Sequence, residues 1–129
     1  MKFEHFALNV TDPRAMAAWY AQHVGFQILK ANTTGSLAHF LGDETGRVCL
    51  ELYHNPAAPV PNYADQPPLT FHFAVFSPDA KSLRAALVAA GATLLTEETT
   101  ADGSVLCMLR DPWGVALQIC QRAKPFPGF

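Results

Sequence analysis

The chain repeats itself. His5 and His72 stand 67 residues apart, and Glu51 and Gln118 stand 67 apart as well. Their flanks repeat with them: HFALNV at 5–10 faces HFAVFS at 72–77, and CLEL at 49–52 faces ALQI at 116–119. A chain that recurs along its length is built from copies of one supersecondary unit, so equivalent residues fall at equivalent points of the fold. Two imidazoles and two side-chain oxygens placed in this way bring four donors to one pseudo-twofold axis, which is a recipe for a metal site. Within that set Gln118 is the one mismatch, standing where the first half has Glu51.

The repeat runs through the whole chain. Thr11-Asp12-Pro13 opens a helical stretch with Met16, Trp19, Tyr20 and His23 at helical spacing, closing at Gly25. Ser77-Pro78 opens a second, with Leu83, Leu87 and small alanines, closing at Gly91. A capping residue and a proline at the start, with a glycine just past the end, is the expected asymmetry of a helix. GSLAHFLGDETG at 35–46 then aligns with GSVLCMLRDPWG at 103–114, each read as strand, tight Asp-x-x-Gly turn and strand. Between the halves lies NPAAPVPNYADQPP at 55–68, whose prolines forbid helix and central strand alike. Each half therefore reads as strand, helix, then about three strands. The expected organisation is one domain over 1–129: module one at 1–54, linker at 55–68, module two at 69–121 and a tail at 122–129.

Composition narrows the partners. A chain of 129 residues that is 50% hydrophobic and 16% charged has room for one domain with a real core. A net charge of −2, with no basic stripe, gives no electrostatic case for nucleic acid. No apolar run approaches the roughly 18–20 residues of a membrane span, so no membrane partner is expected. Glu4 and His5 interrupt any secretory apolar segment. Three cysteines, Cys49, Cys107 and Cys120, form no close-spaced pair and read as reduced thiols of a cytoplasmic protein.

Strand parity sorts the two faces. Phe6, Leu8 and Val10 share one face of the first strand, and Phe3, His5, Ala7 and Asn9 the other. Val48, Leu50 and Leu52 alternate with Cys49, Glu51, Tyr53 and Asn55. The second half repeats this, with Phe71, Phe73 and Val75 against Thr70, His72, Ala74 and Phe76, and Val115, Leu117 and Ile119 against Ala116, Gln118 and Cys120. The aliphatic face belongs under the helices. The small, polar face carries every candidate ligand, and a curved sheet with that face on its concave side makes a cavity.

These residues resemble the vicinal oxygen chelate superfamily, the group of glyoxalase I, bleomycin-resistance proteins and extradiol dioxygenases. The resemblance runs from HFALNV through WYAQHVGF and LELY to HFAV and DPWGVALQI. It implies an α+β fold of two tandem βαβββ modules whose curved mixed sheets enclose a central cavity, the glyoxalase/bleomycin-resistance/dihydroxybiphenyl-dioxygenase fold. It implies metal ligands at His5, Glu51, His72 and Gln118, and a homodimer, with each site built either within one chain or from one module of each subunit. Two imidazoles with oxygen donors suit a divalent ion such as Zn, Ni, Co, Mn or Fe with open positions for substrate. Such an ion polarises a carbonyl or hydroxyl and stabilises an enediolate.

The departures from the family matter more than the match. In glyoxalase I the second-module glutamate takes the substrate proton; Gln118 is neutral and has no useful basicity. Glu51, at the pseudo-symmetric position, is the candidate base instead. Methylmalonyl-CoA epimerase is similar in mirror image, with its glutamine in the first module. The arginine that glyoxalase I places four residues after its first ligand is Asn9 here, although Asn55, four after Glu51, matches. Standard glutathione-dependent activity is therefore disfavoured. Fosfomycin-modifying transferases and extradiol dioxygenases lose ground for want of the second-module glutamate.

Not every polar residue on this list needs a function. A strand histidine is commonly a satisfied structural residue, and only the repeat lifts His5 and His72 above that. An unpaired buried carboxylate at Glu51 would cost several kcal/mol, which favours a functional partner. Gln118 fits a cavity-lining hydrogen-bonder as well as a ligand. Asn9, Tyr53 and Asn55 share the ligand face and are candidates to orient substrate. His23 reads as helix face, His39 as a strand residue near the cavity edge and His54 as structural or rim. Trp19, Tyr20 and Trp113 read as packing, and the cysteines on the ligand face as small apolar fillers. The expected function is a divalent-metal-dependent lyase, isomerase or epimerase acting on a small oxygen-chelating substrate. The alternatives are a metal-free protein that binds an antibiotic or other small molecule and, third, a non-haem iron dioxygenase.

Overall fold

The structure, a computed structural model, describes residues 1–128; Phe129 and the side chain of Cys49 lie outside the described residues. The reading of Cys49 as a filler, and the last residue of the tail, fall there too. The chain divides into two compact units, Met1–Pro61 and Asn62–Phe129. In the first, β1 (Phe6–Asn9) is followed by α1 (Pro13–His23), β2 (Gln27–Ala31), β3 (His39–Gly42) and β4 (Val48–Tyr53). In the second, β5 (Phe73–Phe76) is followed by α2 (Ala80–Ala89), β6 (Thr93–Thr99), β7 (Val105–Arg110) and β8 (Ala116–Gln121). Two tandem βαβββ modules are thus present, as the repeat requires.

Each module folds its own mixed sheet. The first has strand order β1-β4-β3-β2 and the second β5-β8-β7-β6. In each, the first strand runs parallel to the last and the other pairs are antiparallel. A parallel pair needs a long crossover, which the helix and the two middle strands supply. The turns joining the last two strands close as predicted, with Gly46 N donating to Asp43 O at 3.0 Å and Gly114 N to Asp111 O at 2.9 Å. Gly114 has φ +86, and a Cβ there would lie 2.8 Å from the Ala64 nitrogen, so both the backbone angle and the close neighbour exclude a side chain.

Both helices are capped by aspartate. Asp12 accepts from Ala15 N at 2.9 Å, and Pro13 takes the first helical position. In the second module the helix starts later than Ser77-Pro78 suggests, because Asp79 is the cap, accepting from Ser82 N at 3.0 Å and Ser82 Oγ at 2.6 Å. Those two hydrogen bonds hold the Asp79 carboxyl below its ordinary range. Ser77 Oγ accepts from Asp79 N at 3.2 Å and so orients the cap instead of forming it.

The aliphatic parity face is the core. Met16, Ala17 and Tyr20 of α1 are fully buried with Leu41 and Leu52, and Leu50 is nearly so. In the second unit Ala80 and Leu87 of α2 are buried with Leu109, Val115, Leu117 and Ile119. Each fully buried Leu or Ile contributes about 1.5–3 kcal/mol. Trp19 and Tyr20 pack edge to face with ring centroids 5.1 Å apart, and Tyr20 stacks on Phe26 at 5.8 Å.

The Pro-rich segment is tied down at two points. Asn9 holds its start, as described below. Arg110 holds its end, donating from Nη1 to Tyr63 O at 2.9 Å and Gly114 O at 2.8 Å, and from Nη2 to Gln66 O at 2.8 Å. Those carbonyls frame a single 3-10 turn at Tyr63–Asp65, which the prolines flank without entering. No helix among the described residues is long and apolar enough to cross a membrane.

Candidate functional site

The first module brings its two candidate ligands together. Ala7 of β1 stands opposite Glu51 of β4, so His5, two residues earlier, reaches the same face. The ladder begins at Phe6, so His5 sits one residue ahead of the strand instead of within it. Its Nε2 lies 3.2 Å from Glu51 Oε2, while its Nδ1 contacts the carboxylate of Glu4. The His5 side chain is 33% exposed and that of Glu51 19%, so the pair is partly open to solvent. Phe40, opposite Glu51 on β3, presents its ring edge-on to His5 at 5.8 Å.

A carboxylate can only accept, so the Nδ1 facing Glu4 carries the proton. In the neutral tautomer Nε2 is then a lone pair facing a second carboxylate oxygen, an arrangement that asks for a proton or a metal cation between them. Two donors about 2.1 Å from one ion stand about 3.0 Å apart in octahedral geometry and about 3.4 Å apart in tetrahedral geometry. The observed 3.2 Å separation falls between those limits, so the His5–Glu51 pair fits a divalent ion. Among the described residues no group of three or more His, Cys, Asp or Glu side chains is gathered to hold one.

In the second module His72 again sits one residue ahead of its strand, exposed. Its Nδ1 lies 2.8 Å from the Pro68 carbonyl, which fixes the proton on Nδ1 and leaves Nε2 as a free donor lone pair. Gln118 stands opposite Ala74, as Glu51 stands opposite Ala7. Its Oε1 accepts from the Cys120 thiol at 3.2 Å. Burial pushes that thiol up from its ordinary range, so it is a neutral donor to the amide. Cys107, also buried, lies 3.7 Å from Glu97 on the opposite, helix-covered face, and burial first and Glu97 second raise it too.

Asn9 and Asn55 meet each other. Asn9 Nδ2 donates to Asn55 O at 3.2 Å and Ala58 O at 3.1 Å, and Asn9 Oδ1 accepts from Asn55 N at 2.8 Å. Asn55 Oδ1 in turn accepts from Ala57 N at 3.0 Å. The amide of Asn9, only 8% exposed, is thereby engaged at both ends in anchoring the chain that leaves β4. Tyr53 is half-buried opposite Asn9. His54 donates from Nδ1 to Val10 O at 2.9 Å, a structural role as parity suggests. His39 differs from its reading as a cavity-edge residue: it pairs with Leu52 on the core face, is 5% exposed and donates from Nδ1 to Leu37 O at 2.6 Å. His23 lies on the helix against Trp19, at 5.5 Å.

Three site neighbours escaped sequence reasoning. Glu4 is adjacent to His5 in sequence, and only that adjacency hints at its contact. Phe40 and Lys30 reach the site face through strand register, which the sequence does not print.

Comparisons agree with this architecture. A glyoxalase I mutant from Zea mays superposes with a TM-score of 0.72 at 22% identity, over 93% of this chain and 45% of that one. A bleomycin resistance determinant encoded on the transposon Tn5 gives 0.60 at 19% identity, over 96% of this chain and 100% of the other. TnmS3, an antibiotic binding protein from Streptomyces sp. CB03234, gives 0.68 at 16%, over 92% and 93%. At these identities the likeness is one of fold. No curated protein matches the sequence. The family profile for glyoxalase, bleomycin resistance protein and dioxygenase matches residues 2–119, and the chain belongs to the Glyoxalase/Bleomycin resistance protein/Dioxygenase superfamily.

Proposed function

We propose that this protein is a divalent-metal-dependent lyase, isomerase or epimerase for a small substrate that chelates through neighbouring oxygens. The metal donors are His5, Glu51, His72 and Gln118, and Glu51 is the proton carrier. The observation that carries the reading is the 3.2 Å approach of His5 Nε2 to Glu51 Oε2. A metal bound there supplies Lewis acidity that stabilises a developing enediolate. The protein's own groups do the rest. Glu4 keeps the proton of His5 on Nδ1 and so keeps Nε2 a donor. Glu51 Oε2 faces His5, while Oε1 receives no hydrogen bond from the described residues and is free to take and return a substrate proton. Phe40 packs its ring edge-on against His5 and so helps hold the orientation of the imidazole beside Glu51.

Gln118 has no basicity, and Asn9 stands in place of a glutathione-holding arginine with its amide already engaged. Both features support an activity other than glutathione-dependent glyoxalase. Elemental analysis of protein purified without chelators tests the proposal. Near-stoichiometric metal that is lost in His5→Ala and in His72→Ala is expected; metal near zero after growth in supplemented medium overturns it.

A second reading, a metal-free small-molecule binder, draws on the likeness to the bleomycin resistance determinant and to the antibiotic binding protein. It predicts ligand-induced thermal stabilisation that persists in chelator.

A further inference from the structure

We propose that Lys30 forms an anion subsite on the site face of the first module, so that the substrate is a chelating acid with a second, remote carboxylate. This rests on the metal-chelation reading of His5 and Glu51. The register between β2 and β3 breaks at Lys30. Ile28 pairs with Leu41, but the next pairing is Lys30 with Phe40, leaving Leu29 as a bulge. Without that extra residue Leu29 would oppose Phe40, and Lys30 would turn toward the helix-covered face with His39. A bulge of this kind re-aims a side chain. Here it delivers a cation to the face that carries Glu51.

The bulge is built into its surroundings. A Cβ on Gly42 would lie 2.7 Å from Leu29 Cδ1 and 2.8 Å from Arg47 O, so the missing side chain at Gly42 makes room for the bulged leucine. Lys30, Phe40 and Glu51 then stand opposite one another on three adjacent strands. The Lys30 ammonium lies 5.8 Å from the centroid of the Phe40 ring. Among the described residues it has no ion pair. A lysine needed only for solubility has no reason to be turned onto this face and laid over an aromatic ring beside the candidate ligands.

The geometry sets the ligand. Two strand spacings separate Lys30 from Glu51, about 10 Å between Cα atoms, and the lysine stem reaches inward over part of that distance. An acid with a backbone of about five carbons spans the rest, its apolar middle lying over Phe40. A lone ammonium with no accompanying amide nest suits a singly charged carboxylate. The second module repeats the bulge, with Leu95 skipped between Leu94 and Thr96, but there it delivers the neutral Thr96 beside Met108 and Gln118. The bulge thus carries a cation in the first half only.

The test compares 2-oxoglutarate with 2-oxopentanoate, which share the chelating end and differ in the remote carboxylate. Calorimetric titration of the Mn-supplemented protein is expected to show a roughly tenfold preference for 2-oxoglutarate. Lys30→Met should abolish the preference while leaving 2-oxopentanoate binding unchanged, and Lys30→Arg should retain it. Equal affinity for the two acids, binding of neither, or a preference that survives Lys30→Met overturns the subsite. The same titrations in chelator separate the two claims. If the metal reading alone fails, the Lys30-dependent preference persists without metal; if the subsite alone fails, both acids need metal and charge makes no difference.

Discussion

Glu4 and Glu51 grip the two nitrogens of one imidazole: the Glu4 carboxylate meets His5 Nδ1, and Glu51 Oε2 lies 3.2 Å from Nε2. A ligand histidine whose second nitrogen is held by a carboxylate is fixed in tautomer and orientation and is a stronger donor. Replacing such an outer partner typically lowers metal affinity by about 10–100-fold. Glu4 is well exposed, so Glu4→Gln is expected near the lower bound, roughly a tenfold loss in competition with a fluorescent chelator. Affinity equal to that of the unmodified protein would show that the Glu4 contact plays no part in metal binding.

The distribution of what the sequence revealed follows from physics. The equivalence of His5 with His72, and of Glu51 with Gln118, was legible because a duplicated module repeats its residue types at a fixed offset. The buried faces of β4 and β8 were legible because side chains alternate along a strand. The Asp79 cap was hidden by Ser77-Pro78, an equally plausible start that lies two residues early. His39 was misplaced because its face depends on the register with Leu52, a pairing between strands. Lys30 was invisible for the same reason: only the Leu29 bulge decides which way it points. The pairing of Asn9 with Asn55 joins residues far apart in sequence, and their shared parity suggests only a common face.

Asn9→Ala should behave as a structural mutation. It strips three hydrogen bonds at once, leaving Asn55 N and the carbonyls of Asn55 and Ala58 to find other partners. The unsatisfied groups cost about 1–3 kcal/mol, softened where water reaches them. The expected result is a lower thermal midpoint with metal content unchanged. A variant that keeps its midpoint but loses binding of a small acid would instead place Asn9 in the substrate site.

Gly42→Ala tests the bulge. The new methyl meets both Leu29 Cδ1 and the Arg47 carbonyl at under 3 Å, and the carbonyl belongs to backbone that cannot swing aside. Overpacking of this kind costs about 1–3 kcal/mol. The fold relieves it by shifting β2 against β3, which turns Lys30 away from Phe40. A fall in urea midpoint together with weakened preference for 2-oxoglutarate is expected; a normal midpoint with full preference would show that the bulge does not depend on Gly42.

Cys120 makes the protein's alkaline stability testable. Burial raises its thiol, which donates neutral to Gln118 Oε1. A raised folded pKa means that the fold favours the protonated form. The stabilisation is therefore complete below the unfolded thiol value, about 8.5, and is lost as pH rises through the folded value. Cys107 carries the same sign, raised by burial and then by Glu97, so both thiols act in one window. The thermal midpoint of the reduced protein is expected to be insensitive to these groups up to about pH 8 and to fall above about pH 9. Cys120→Ala should flatten part of that fall, and Cys107→Ala a further part. Iodoacetamide should likewise label Cys120 slowly at pH 8, since the thiolate is the reactive form. Rapid labelling at pH 8 would show that Cys120 is ionised in the fold, and an alkaline slope unchanged in both variants would show that the fold does not favour the protonated thiols.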